Sequence, residues 1–490
     1  MLTHTHLSFL IALLIVLPGT PVVADTINVP GDQSTIQEGI NAAVDGDTVL
    51  VAPGTYPENI NFIGKKIFVT SHFALNQDTS FVRTTIIDGS SPSNSDSASC
   101  VLMISGEDST SVLQGFTLTG GTGTRWTDEH GAGTYFEGGG ILMTLSSPTI
   151  RNNIITGNEA VRAPGGVTSA GGGGIRCGDG SPLIINNIIT GNSGLYGGGI
   201  VMNYASGIIR NNIITNNLAY KSGLTPSFGG GGIWILGDGT TTIVENNVIV
   251  GNSATGSGGQ AGLGGGILNW ETPMAARNNI VWGNTQTTGG PISIINSAST
   301  VVAYCDVEGG HEGEGNIDLE PALEAGTYLP ADGSPCIDAG DTNAVYNDPE
   351  DPGNPGFAQY PSKGVLRNDM GAYGGPGRAL IGSVPAAIEE NTPKVKVPKA
   401  IGLGQNFPNP FNPSTTIKYE LSENTEVKLK VYTVRGKEVS TLVDGAQGAG
   451  AHSAHWDGRD DLGRTLSSGV YLYRLQVGEN IVTRKMILVK

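Results

Sequence analysis

Charge is scarce in this chain. Asp, Glu, Lys and Arg make up 14% of its 490 residues and aromatics 6%, too little charge to furnish the solvated faces of many long amphipathic helices. Cysteine is scarcer still, with four residues in all, so a disulfide-dense scaffold is excluded. Beyond the first two dozen residues no apolar run is long enough to cross a bilayer, and the sequence offers no transmembrane anchor. Basic residues are sparse over residues 1–390, with 13 Lys/Arg against 35 Asp/Glu, a balance of 13 − 35 = −22. Such a body repels polyanions, which argues against nucleic acid and anionic lipid, and an acidic polysaccharide would need bridging cations. Residues 391–490 carry the opposite balance, 14 Lys/Arg against 9 Asp/Glu or +5. Two separate domains are expected.

What the chain has in abundance is glycine, 75 residues, about twice ordinary usage and suited to short strands joined by tight turns. Met1 to Ala24 reads as a signal peptide: the apolar run Leu7 to Leu17 is too short to span a bilayer, and Val22-Val23-Ala24 offers small residues for cleavage. The mature protein is therefore expected outside the cytoplasm, secreted or at the cell surface. Cys100 and Cys177 lie in apolar strand-like contexts and read as packing. Cys305 and Cys336 flank one acidic segment and are the expected disulfide.

The organising feature is a repeat. Gly-Gly-Gly-Ile recurs with its isoleucine at 141, 175, 200, 233 and 267, and Gly-Gly-Pro-Ile continues it at Ile292. Between these sits a second motif, Arg151-Asn152-Asn153-Ile154-Ile155-Thr156-Gly157-Asn158 and its counterparts ending at Asn192, Asn217, Asn252 and Asn284. A period of this size signals a solenoid, and units this short, rich in β-branched residues, predict one coil of a parallel β-helix each. Stacked asparagines would form ladders, Asn153, Asn187, Asn212, Asn247 and Asn279 in one and Asn158, Asn192, Asn217, Asn252 and Asn284 in another. With the isoleucines inward, alternation sends Leu142, Arg176, Val201, Trp234 and Leu268 outward in one row, and Thr144, Asn203, Leu236 and Trp270 in the next. Inserts at one turn, Thr122 to Glu137, Glu159 to Ala170, Leu218 to Phe228 and Ser253 to Leu263, are expected to wall that face. A short helix over Ser34 to Val44, capped by Ser34 or Asp32, would close one end, and the acidic stretch from Asp306 to about Tyr373 the other.

Several stretches carry a family likeness. Thr35-Ile36-Gln37-Glu38-Gly39-Ile40, Gly46-Asp47-Thr48-Val49-Leu50-Val51-Ala52-Pro53-Gly54-Thr55-Tyr56, Ser334-Pro335-Cys336-Ile337-Asp338-Ala339-Gly340-Asp341 and Asp369-Met370-Gly371-Ala372-Tyr373 resemble the pectin-lyase-like right-handed β-helix family. That resemblance implies the fold over residues 25–380 and leaves the chemistry open, because the superfamily includes lyases, hydrolases and non-catalytic surface proteins. After a linker at 381–400, Asn406-Phe407-Pro408-Asn409-Pro410-Phe411-Asn412-Pro413 and the ending Thr483 to Lys490 resemble the type IX secretion sorting domain and the FlgD-like immunoglobulin-like domain. The likeness implies an immunoglobulin-like sandwich over 401–490 that engages outer-membrane secretion machinery. The fold class expected overall is all-β: a right-handed parallel β-helix followed by a small β-sandwich.

Residues with chemical potential are few. Asp179, Asp238 and Glu271 sit at similar turns, and Asp238 and Glu271, from adjacent coils, would lie about 5 Å apart, near the separation of a retaining glycosidase pair, though Gly-Asp-Gly is also an ordinary turn sequence; Arg176 on the outward face is a further catalytic candidate. The insert Arg125-Trp126-Thr127-Asp128-Glu129-His130 concentrates a cation, an aromatic, two carboxylates and an imidazole, with Trp126 and His130 as ligand-binding candidates. Outward Trp234 and Trp270 would give stacking platforms for the sugars of an extracellular polysaccharide or cell-surface glycan, unless the inserts bury them. Asp341, Asp348, Glu350 and Asp351 are candidate oxygen ligands for a structural calcium, without EF-hand spacing. No other cofactor is indicated. The leading expectation is a non-catalytic surface β-helix that binds glycan, adheres or serves as a stalk; the alternative is a polysaccharide lyase or glycoside hydrolase with a non-standard site.

Overall fold

A computed structural model of the chain describes residues 24–378 and 402–489, apart from breaks at 132, 161–169, 220–228, 238–240, 256–261, 296–298, 407, 422–424, 435, 448–449 and 479. The signal-peptide segment, the linker and Asp238 lie outside the described residues, as do large parts of the second, third and fourth inserts. The chain divides into two compact units, Met1–Glu389 and Glu390–Lys490.

The first unit is a right-handed parallel β-helix. The coils between Ile141 and Gln286 each run through four short strands, as in Ile141–Thr144, Thr149–Arg151, Ile154–Thr156 and Glu159–Ala160. We call the four stacks that these strands build faces I to IV. Among the described residues face I has eight strands, face II ten, face III nine and face IV five. The register on face I is that of the repeat: Leu142, Arg176, Val201, Trp234 and Leu268 stand opposite one another in successive coils. The isoleucines at 141, 175, 200, 233 and 267 are fully buried inside, joined by Met143, Cys177, Met202 and Ile235.

The glycine triplets have two distinct causes. The first glycine of each, as at Gly138 and Gly172, has φ of 63° and 70°, the left-handed region that glycine tolerates without strain. The other two are needed because the coils approach so closely: a Cβ on Gly139 would lie 2.4 Å from the Gly173 carbonyl oxygen, and one on Gly140 would lie 2.6 Å from that of Gly174.

Both asparagine ladders form. The backbone N–H of each rung donates to the side-chain Oδ1 of the next, at 2.9–3.0 Å from Asn153 to Asn279 and 2.9–3.1 Å from Asn158 to Asn284. The ladder residues do not take the left-handed conformation themselves. In the first ladder the predecessors Asn152, Asn186, Asn211, Asn246 and Asn278 do, with φ between 50° and 56°, so there the Asn-Asn pair divides turn-making from stacking.

The N-terminal cover is the helix Ile36–Ala42, whose Ile36 and Ile40 close the end of the core. Its N-cap is Thr35, not Ser34 or Asp32: Thr35 Oγ1 accepts from the Glu38 N–H at 3.1 Å. The first strand, Thr26–Val29, precedes this helix and pairs with Thr48–Val51.

The expected disulfide is absent, and all four cysteines are free and buried. Cys305 lies inside the coil beneath the first ladder, where its sulfur accepts from the Asn279 N–H at 3.4 Å. The next residue, Asp306, faces outward, and there Cys336 donates to its Oδ2 at 3.2 Å. Strand alternation thus puts one sulfur on each side of the wall.

The second unit is an antiparallel sandwich of seven described strands. Gly402–Leu403, Thr415–Leu421 and Gly450–Trp456 form one sheet, and Glu438–Gln447, Thr425–Thr433, Gly469–Val477 and Asn480–Leu488 the other. Alternation is strict in Thr425–Thr433, where Val427, Leu429 and Val431 are buried in its core.

Candidate functional site

The first insert folds as a β-hairpin, Gly123–Thr127 paired antiparallel with Thr134–Glu137, and lies over the outer side of face I. It brings together residues that are far apart in sequence. Arg176 is fully buried there, with Nε 2.6 Å from Glu137 Oε2 and Nη2 3.4 Å from Asp128 Oδ2. Asn203, one coil on, donates to the same Asp128 oxygen at 3.0 Å. Glu129 accepts from Trp126 Nε1 at 2.7 Å and from Thr144 Oγ1 at 2.6 Å. His130 Nε2 lies 2.8 Å from Asp179 Oδ1, and its ring stacks on Tyr204 with centroids 3.6 Å apart. Two candidate groups, Arg176 with Asp179 and Trp126 with His130, therefore form one cluster.

The electrostatics are those of a clasp. Burial pushes the Glu137 carboxyl above the usual glutamate range, opposed by the charge of Arg176 and by the hydrogen bond from Tyr196 Oη at 2.9 Å. Burial likewise lifts the Cys177 thiol, to about 12, so it is no nucleophile. Of the expected carboxylate pair, Asp238 with Glu271, Asp238 lies outside the described residues. Asp179 and Glu271 do occupy equivalent left-handed turns, with φ of 49° and 57°, but the strand register places them three coils apart. At about 4.8 Å per coil that is about 14 Å, beyond the reach of either glycosidase geometry. The same register sets Glu271 opposite Gly237, one residue before Asp238.

Trp234 is not an exposed platform. It is 5% exposed, its ring centroid 4.7 Å from that of Tyr196, in a cluster with Val201 and Leu268. Outward on face I means outward from the core, and a second apolar layer covers that row. Trp270 is half-buried at the rim of this cluster, with its indole Nε1 out of solvent and unpaired.

The four acids of the C-terminal segment serve separate turns. Asp341 pairs with Arg277, Asp348 accepts from the Asp369 N–H at 3.1 Å, Glu350 from the Gly356 N–H at 2.7 Å and Asp351 from the Gly353 N–H at 2.8 Å. Among the described residues no group of three or more His, Cys, Asp or Glu is arranged to hold a metal ion. These side chains do not fit a shared calcium.

An open cleft lies on the other side of the coil, outside face III. It has a volume of about 390 Å³ and is walled by Trp282, Thr215 and Asn216 from the coils and by Tyr328, Glu320 and Glu324 from the C-terminal segment. Thr215 Oγ1 and Tyr328 Oη are 3.2 Å apart across it. Sequence reasoning passed over Trp282, although the signal was present. It ends the row Thr156, Thr190, Thr215, Val250, Trp282, where an aromatic replaces small β-branched residues.

Comparison with known proteins locates both parts of the chain. A model of the right-handed beta helix region matches residues 82–303, and a model of the FlgD Ig-like domain matches residues 411–480. No curated protein matches the chain. Among solved structures, dimeric latent PorU from Porphyromonas gingivalis is 22% identical over 18% of this chain and 9% of its own, with a TM-score of 0.17. PorZ, an essential surface component of the type-IX secretion system of the same bacterium, is 17% identical over 18% of this chain and 11% of its own, with a TM-score of 0.14. FlgD from P. aeruginosa is 27% identical over 15% of this chain and 58% of its own, with a TM-score of 0.13.

Proposed function

We propose that this protein is an exported, surface-displayed β-helix that binds an extracellular polysaccharide without cleaving it, at the Trp282–Tyr328 cleft. The cleft carries the reading: an indole and a phenol offer apolar faces for sugar rings, and Thr215, Asn216, Glu320 and Glu324 supply hydrogen-bonding groups around them. Two carboxylates and no cation among these residues favour a neutral glycan. The acid-bearing cluster on face I is engaged in holding the hairpin down, which leaves it poorly placed for acid–base work. Titrating the full chain with neutral polysaccharides tests the reading. Trp282→Ala should weaken binding by about 1–2 kcal/mol with the fold retained, and unchanged affinity would remove the cleft from consideration.

The C-terminal sandwich is the proposed export tag, supported by the match to a FlgD Ig-like domain and by a charge opposite to that of the rest of the chain. Deleting Gln405 to Lys490 should leave a folded β-helix trapped in the periplasm, since the two units have separate cores. Normal arrival of the truncated protein at the surface would make the sandwich a structural module instead.

A further inference from the structure

One row on the outer side of the β-helix carries a recognition device that is used four times and, among the described residues, left open a fifth. Face II strands end in Arg151, Ile185, Arg210, Glu245 and Arg277, in register from coil to coil. Each is followed by one of the left-handed asparagines. The C-terminal segment runs down this row, and each asparagine grips its backbone in turn. Asn278 Oδ1 accepts from the Asp341 N–H at 2.8 Å. Asn246 Nδ2 donates to the Asp369 carbonyl at 3.0 Å, Asn211 Nδ2 to that of Gly374 at 2.7 Å, and Asn186 Nδ2 to that of Gly377 at 3.3 Å.

At Arg277-Asn278 the device is complete. The Arg277 guanidinium pairs with the Asp341 carboxylate while Asn278 holds the same residue's N–H, and the guanidinium lies over the Tyr346 ring, 5.4 Å from its centroid. Arg151-Asn152 repeats the dipeptide at the same register, and its guanidinium lies over Phe68 at 5.6 Å. Here a cavity of about 320 Å³ opens, lined by Phe68, Phe73, Gln77, Gln114, Arg151 and Asn152. Arg151 Nε is buried without a hydrogen-bond partner. Among the described residues no carboxylate pairs with Arg151, and no hydrogen bond engages the Asn152 side chain. The remaining arginine of the row, Arg210, is already held by Glu245 at 2.7 Å. Burial pulls the Arg151 guanidinium below its usual range, as expected of a cation without a counter-charge.

We infer that the Arg151–Asn152 cavity is a peptide-binding site that seats an aspartate from an extended segment of a partner protein, in the manner of Asp341 on Arg277-Asn278. The carboxylate takes the guanidinium, the aspartate N–H takes Asn152 Oδ1, and a neighbouring apolar side chain packs on Phe68 and Phe73. Within this acidic protein an arginine with no carboxylate partner among the described residues, lining a cavity with Phe68 and Phe73, selects an anionic group, and the asparagine row selects backbone.

The test uses the full chain and a fluorescently labelled heptapeptide copying Ile337 to Asn343, the segment that carries Asp341. Anisotropy should show saturable binding, weakened at least about tenfold when the peptide's second aspartate becomes asparagine and in Arg151→Gln. Asn152→Gly keeps the turn, because its φ of 54° suits glycine, and should weaken binding while circular dichroism stays unchanged. Absence of saturable binding, or binding that neither variant alters, overturns the proposal. Binding of free galacturonate or glucuronate at R151Q-sensitive affinity equal to the peptide's also overturns it, because the site would then read a sugar acid and not a peptide. So does peptide binding that appears only when Glu389 and Glu390 are changed to glutamine, because this chain would then be filling its own cavity.

Discussion

The asparagine ladders and the Arg176 cluster both bury polar groups against the same coils, yet they are built on opposite terms. A ladder is neutral, and each rung bonds its equivalent in the next coil. The Arg176 cluster is ionic, joins three coils and an insert, and rests on one guanidinium shared between Glu137 and Asp128. The ladder spreads its stabilisation over repeated small contributions, whereas the cluster concentrates it at one point. Damage should therefore be graded in the first and severe in the second.

Arg176→Ala should show the largest effect, a loss of about 3–5 kcal/mol, because it strands two buried carboxylates without their cation. Chemical denaturation measures it, and adding Glu137→Gln to that variant should recover part of the loss. Trp234→Ala, in the apolar layer beside the cluster, should cost about 3–4 kcal/mol through the cavity it leaves, with little change in glycan binding. A loss under about 1 kcal/mol would return Trp234 to the exposed surface. Asn212→Ala removes one ladder rung and should cost about 2–3 kcal/mol, by the same amount at pH 5 and pH 8 because no titrating group is involved.

The C-terminal segment sharpens the contrast through pH. Burial pushes Asp348 up to about 8, with the nearby Asp369 adding to it, and pushes Asp369 itself up to about 7. Folded-state values above the ordinary carboxyl range of about 4 mean that the native chain holds more protons than the unfolded one. The stabilising contribution is present below about pH 4 and is lost as pH rises to about 8. Hydrogen exchange of the Asp369 and Gly375 amides, which donate to Asp348, should therefore quicken across that window beyond the intrinsic rate. The ladder amides should not. The smallest effect expected is at the N-terminal cover, where Thr35→Ala should cost about 1 kcal/mol in a thermal or denaturant melt.

How far the sequence could be read follows from the same contrast. The ladders, the inward isoleucines and the face I register were legible because each rests on equivalence between successive coils, which a repeat displays directly. The hairpin cluster was legible in its parts, Arg176 and Asp179 in the coils and Trp126 and His130 in the insert, but not in its assembly. Where an insert lands is decided by tertiary packing that no periodicity records. The same cause misplaced Trp234: alternation assigns it outward correctly, yet says nothing of Tyr196 covering it. Cys305 and Cys336 misled because closeness to one acidic segment does not reveal which side of a strand each sulfur faces. Trp282 escaped notice in the sequence because the glycine-isoleucine repeat marks face I, whereas the departure from the threonine row lies on face III.

Under the function proposed above, this β-helix holds a glycan and does not cut it. The most direct test is to incubate the purified protein with a panel of neutral and acidic polysaccharides, following binding, new reducing ends and unsaturated products in the same samples. Saturable binding of a neutral polysaccharide is expected, weakened by Trp282→Ala, with no product above the rate without protein. Sustained product formation that disappears in Asp179→Asn while binding persists would contradict that function and make the face I cluster an active site.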